Sequence, residues 1–265
     1  MKKVAATLLL GFLSFINLTA DAAIQTREVS YKAGDTTLKG FVAWDDAIKG
    51  KRPGVIVAHE FWGLNDYARE RAKKIAQLGY TALALDMYGD GKSFTHPKEA
   101  GEMFNTVMSN ADLTKARFTA AYDALKQQPT VDAGHIGAIG YCMGGAVVLA
   151  AARAGIDLDI VGSFHGALAT KTRAKKGDIK AKVLVFNGEA DSFVPADQVA
   201  ALKQEMKDAD VDFTYVGYPG VKHSFTNPNA DKVAKEFGMD IAYDAKADAD
   251  SWSKLQPALK AAFAK

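Results

Sequence analysis

The chain has 265 residues, 48% of them hydrophobic and 24% charged, with a formal net charge of +2. That length suits one large α/β domain with a substantial core, and the balanced composition excludes a disordered chain. No basic run of the kind that grips nucleic acid occurs, which sets that partner aside.

Met1 to Ala22 reads as a secretory signal. Lys2 and Lys3 form the charged start, Val4 to Leu18 the apolar segment, and Ala20-Asp21-Ala22 a small-x-small cleavage site. The apolar run is short for a bilayer span and carries Gly11, Ser14 and Asn17, so cleavage after Ala22 fits better than a retained anchor. The expected product is a secreted or periplasmic domain, 23–265, with no stable membrane association and a monomeric state favoured.

Thr26 to Ala33 and Thr37 to Trp44 alternate as an opening hairpin around Gly34-Asp35. Gly54 to Ala58 reads as a buried strand that ends in His59-Glu60-Phe61-Trp62-Gly63. Asn65 or Asp66 can cap a helix through Leu78, stopped by Gly79. Tyr80 to Leu85 is the next predicted strand, followed by the loop Asp86-Met87-Tyr88-Gly89-Asp90-Gly91. A mostly helical stretch runs from Pro97 to Gln128.

The apolar strand from Ile136 then meets Gly140-Tyr141-Cys142-Met143-Gly144-Gly145, with a small-residue helix from Ala146 to Ala154. Further strands are predicted at Ile160–Phe164, Val183–Phe186 and Val211–Val216, with a helix from Pro195 to about Lys207. An amphipathic helix from Lys246 to Lys265 closes the chain. Alternating strands and helices imply a mainly parallel sheet covered on both faces, with ligands at the carboxyl ends of its strands.

Gly-x-Cys-x-Gly-Gly between a strand and a helix has the form of a nucleophile elbow with Cys in the place of Ser. The bland reading is a small buried thiol, since free Cys is often buried. The elbow glycines in this context favour the nucleophile. Asp191 and His223 follow in the chain order nucleophile, acid, histidine. His223 would accept the thiol proton, and Asp191 would hold the imidazole in its useful tautomer.

Asp191 could instead merely bond its own turn, and His223 could be a surface histidine. Asp197 and Glu189 are rival acids, the first placed on a helix and the second close to its strand. His165 precedes Asp191, which breaks the order, so it reads as pocket lining or a packed imidazole. Glu60, a charge at the end of a buried strand, reads as a substrate-facing or supporting carboxylate, or as a capping or ion-paired one. Trp62, Tyr88 and Phe225 are pocket candidates. No His-Glu-x-x-His spacing occurs, and one Cys excludes a multi-thiolate site, so neither a metal nor another cofactor is expected.

Together, the Cys142 elbow, His59-Glu60-Phe61-Trp62-Gly63-Leu64-Asn65, Asp191 and His223-Ser224-Phe225 resemble the dienelactone hydrolase (carboxymethylenebutenolidase) family. The resemblance runs from about Val29 to the C-terminal helix. It implies an α/β-hydrolase fold and a Cys142-His223-Asp191 triad acting on an activated ester, lactone or thioester. It also implies that Glu60 contacts the resting thiol, and that the N–H groups of Phe61 and Met143 form an oxyanion hole.

Members of the chlorocatechol pathway hold a substrate carboxylate with arginines after the Asp-x-Tyr and His-Ser-Phe segments. Neither Asp86-Met87-Tyr88-Gly89-Asp90-Gly91 nor His223-Ser224-Phe225-Thr226-Asn227 contains one. Lys92 and Lys222 are the nearby cations, without the planar fork of arginine. Two other readings stand beside the hydrolase: a non-catalytic small-molecule-binding protein on the same scaffold, and a redox protein using Cys142 as a sensing thiol.

Overall fold

A computed structural model describes residues 24–264. The signal-peptide reading of Met1 to Ala22 lies outside the described residues. In chain order the elements are β1 (Ile24–Ala33), β2 (Thr36–Asp45), β3 (Arg52–Ala58), α1 (Asp66–Gln77), β4 (Thr81–Ala84), α2 (Pro97–Met108), α3 (Ala111–Lys126), β5 (Val131–Tyr141), α4 (Met143–Arg153), β6 (Ile160–Phe164), β7 (Lys182–Gly188), α5 (Ala196–Asp208), β8 (Phe213–Tyr218), α6 (Ala230–Phe237) and α7 (Ala245–Ala262).

The strands form one sheet in the order β1-β2-β4-β3-β5-β6-β7-β8. The β1–β2 and β2–β4 pairings are antiparallel, and every pairing from β4 through β8 is parallel. This is the α/β-hydrolase type of fold.

Side-chain alternation divides the core into two layers. Val55 and Val57 of β3, with Leu184 and Phe186 of β7, pack on the face covered by α1 and α7. Ile56 and Ala58, with Val183 and Val185, pack on the opposite face, against Phe118 and Leu125 of α3, Val147 and Val148 of α4, and Leu202 and Met206 of α5.

The structure departs from the sequence expectations in several places, among them β5, which starts at Val131 rather than Ile136. The helical stretch from Pro97 divides at Ser109-Asn110, where Asn110 Oδ1 accepts from the Leu113 N–H at 2.9 Å and starts α3. Helix α4 begins at Met143, directly after the elbow, rather than at Ala146. The last strand sits two residues later than Val211, at Phe213–Tyr218. Helix α6 carries no counterpart in the sequence reading.

Candidate active site

Cys142 stands between β5 and α4 with φ 53° and ψ −116°. An L-residue enters that region only when its surroundings hold it there. The flanking glycines show what does the holding. A Cβ on Gly140 would lie 2.0 Å from the Gly144 carbonyl oxygen, and one on Gly144 would lie 2.1 Å from the Ala58 carbonyl oxygen. The turn is thus closed against β3 so tightly that neither position admits a side chain. Because α4 starts at Met143, the N–H groups of Met143 and Gly144 have no intrahelical acceptor and lie at the positive end of the helix, next to the elbow.

The acid and the histidine come from the next loops along the same sheet edge. Asp191 follows β7, and His223 follows β8. The two loops are joined: the Glu189 N–H donates to the Tyr218 carbonyl at 2.9 Å, and the Ala190 N–H to the Val221 carbonyl at 3.0 Å. Gly188 permits the approach, since a Cβ there would meet the Val221 carbonyl oxygen at 2.2 Å.

His223 Nδ1 bonds Asp191 Oδ2 at 2.7 Å, with both side chains almost sealed from solvent. Cys142 lies close enough to act on the imidazole electrostatically. Burial alone would push its pKa down. Cys142 and the bond to Asp191 outweigh that, and the pKa is pushed up to about 10. Neither rival acid competes for the imidazole, because Glu189 and Asp197 are exposed.

Glu60 is 2% exposed. Its hydrogen bonds go to Asn227 Nδ2 at 2.6 Å and Ser224 Oγ at 3.4 Å, not to the sulfur that the resemblance implied. Burial raises its pKa, opposed by Asn227 and by the positive charges of His223 and Arg71. Phe61 and Met143 are braced by one hydroxyl: Tyr88 donates to the Phe61 carbonyl at 2.7 Å and lies 3.4 Å from Met143 Sδ. Tyr88 is itself fixed through Asp86, whose buried carboxylate accepts from the backbone N–H groups of Lys39, Tyr88, Gly89 and Gly91. Among the described residues, the Phe61 N–H has no backbone or side-chain acceptor.

Two pocket candidates turn out otherwise. Phe225 is wholly buried, edge-on to His165 at 5.2 Å, so it belongs to the packing beneath the site and lines no open pocket. His165 is equally buried and is the packed imidazole of its two readings. Its Nδ1 accepts from the Cys142 N–H at 3.1 Å, so the proton sits on Nε2, which donates to Thr226 Oγ1 at 2.7 Å. Burial, then repulsion from His223 and Arg71, holds its pKa well below the ordinary imidazole value, so it stays neutral. Tyr88 is 2% and Trp62 7% exposed, so these two brace the wall of the site more than they open to solvent.

Behind His165 lies a polar chain that the sequence reading missed. Thr226 Oγ1 shares a 2.6 Å bond with the Tyr67 hydroxyl, which accepts from Arg71 Nε at 3.1 Å. Arg71 also donates to the Thr226 carbonyl and pairs with Asp248 at 2.7 Å. The signal was present. Arg71 falls in the buried stripe Ala68, Arg71, Ala72, Ile75 and Ala76 of α1, and a charge on an apolar stripe demands partners.

The model of the dienelactone hydrolase family matches residues 38–263. The protein Usf of Aquifex pyrophilus is 30% identical over 85% of this chain and 94% of its own length. Among solved structures, a dienelactone hydrolase-like promiscuous phosphotriesterase from metagenomic libraries is 36% identical, covers 91% of this chain and 99% of its own, and superposes with a TM-score of 0.84. A dienelactone hydrolase from Anabaena variabilis shares the fold at a TM-score of 0.60 and 22% identity, over 81% of this chain and 95% of its own. With the match spanning nearly all the described residues, the chain belongs to the dienelactone hydrolase family and is a hydrolase with the α/β-hydrolase fold.

Proposed function

We propose that this hydrolase acts on activated esters, lactones or thioesters through Cys142, His223 and Asp191, by way of a covalent acyl-enzyme. The observation that carries the reading is the buried His223, bonded to Asp191 at 2.7 Å, with its pKa pushed up to about 10 by Cys142 and Asp191. An imidazole so placed holds the proton that leaves the sulfur.

The sulfur attacks the carbonyl carbon, and the π pair moves to oxygen, which takes the N–H groups of Phe61 and Met143. The tetrahedral species collapses, the bond to the leaving group breaks, and that group takes the proton from His223. Water then adds to the thioester with His223 as base, and a second collapse returns the sulfur and releases the acid. Asp191 keeps Nδ1 protonated throughout, so Nε2 is the nitrogen that exchanges protons. Glu60 holds Ser224 and Asn227 beside His223, and reaching the sulfur would require it to give up both bonds.

The name of the phosphotriesterase relative supports a second reading of the same site, in which the sulfur attacks tetrahedral phosphorus as a side activity. Turnover of p-nitrophenyl acetate and of a p-nitrophenyl phosphotriester by Cys142→Ala tests both. The expected result is a loss of at least about a thousandfold in kcat with either substrate. Unchanged ester turnover would end the cysteine mechanism.

A further inference from the structure

Phe193 stands out on the rim of the site. It is 51% exposed, and Ile48 is the only other large apolar side chain so exposed among the described residues. A single exposed apolar side chain is ordinary. The placement of this one is not. Its ring centroid lies 5.1 Å from that of His223, tilted by 59°. Its N–H donates to Asp191 Oδ1 at 2.9 Å, while the other oxygen of the same carboxylate binds His223. The triad acid thus fixes the exposed ring beside the imidazole that protonates the leaving group.

The cation beside His223 in the chain already has a carboxylate partner. Lys222, next to His223 in the chain, pairs with Asp240 at 2.6 Å. Ser192, next to Phe193, donates to the other oxygen of Asp240 at 2.7 Å. An anionic leaving group on this side would meet an aromatic face and a lysine held by a carboxylate. A flat uncharged group would find a ring to pack on.

We propose that Phe193 is a specificity-determining residue that selects substrates whose leaving group is an uncharged aromatic or similarly flat apolar unit. This rests on the Cys142-His223-Asp191 reading of the site. Packing of one aromatic ring on another exceeds plain area burial, and its loss corresponds to roughly a tenfold change in specificity.

The test measures kcat/KM of the native chain, Phe193→Ala and Phe193→Tyr on phenyl acetate, 2,2,2-trifluoroethyl acetate and 4-acetoxybenzoate. In Phe193→Ala, the preference for phenyl over trifluoroethyl acetate is expected to fall about tenfold, mainly through KM, and Phe193→Tyr is expected to restore it. The native chain is expected to favour phenyl acetate over the anionic 4-acetoxybenzoate. An unchanged phenyl preference in Phe193→Ala, an equal loss on all three esters, or a native preference for the anion would overturn the role of Phe193 and leave the triad standing. A native chain inactive on all three would overturn the catalytic reading along with it.

Discussion

Glu60 and His223 are both buried, and their raised pKa values act on stability in opposite directions. Glu60 is sealed at the end of β3, and its pKa is raised by burial. A carboxyl raised in the fold ionises more easily in the unfolded chain, so stability falls as pH rises above the unfolded value. At neutral pH Glu60 therefore costs stability, and that cost is absent in acid. Glu60→Gln keeps an acceptor for Asn227 Nδ2 and can donate to Ser224 Oγ, without the charge. The Tm of this variant is expected to exceed that of the native protein by a few degrees at pH 7, with the gap closing toward pH 4. Scanning calorimetry across that range checks it, and a variant less stable at pH 7 would show that the charge is held in place by more than Asn227 and Ser224. His223 runs the other way. Its raised pKa gives stability that is complete below the free imidazole value and is lost as pH rises through about 10.

Among the elements, the elbow depends on backbone contact more than on any side chain. Gly144 faces the Ala58 carbonyl so closely that Gly144→Ala must move either β3 or the start of α4. Such a variant is expected to lose nearly all activity and several degrees of Tm. Gly101→Ala, in α2 with open space around it, is expected to gain about 0.5–1 kcal/mol from the better helix former. Equal effects from the two would contradict the account of the elbow. The strand β3, the elbow and the loop bearing Asp191 were legible because short continuous apolar runs end abruptly in polar residues. The break before Asn110 was not, since the sequence there has neither Gly nor Pro to announce it and only a capping side chain ends one helix and begins the next. Helix α6, eight residues long, is too short for its pattern to stand out. The charge of Arg71 on an apolar stripe was legible, but its partners were not: Thr226 and Asp248 lie 155 and 177 residues away, a pairing that only the fold brings together.

At the scale of the whole molecule, parallel strands bring the ends of β3, β5, β6, β7 and β8 to one edge, and with them Glu60, Cys142, His165, Asp191 and His223. Arg71 ties α1 to α7 through Asp248 and reaches the His223 loop through Thr226, so both helices on that face bear on the site. Among the described residues, no helix is long and apolar enough to cross a membrane. We further infer that the chain is exported and cleaved after Ala22. The central claim is that Cys142 carries the acyl group, and intact-mass spectrometry with peptide mapping, after brief mixing of the exported protein with p-nitrophenyl acetate, tests it most directly. The same spectrum reads whether the chain starts at Ala23. The account predicts one acetyl group, located on Cys142, appearing with a burst of nitrophenol and disappearing as turnover ends. Turnover with the acetyl group on another residue, or with none on Cys142 under conditions that trap it, would contradict the account.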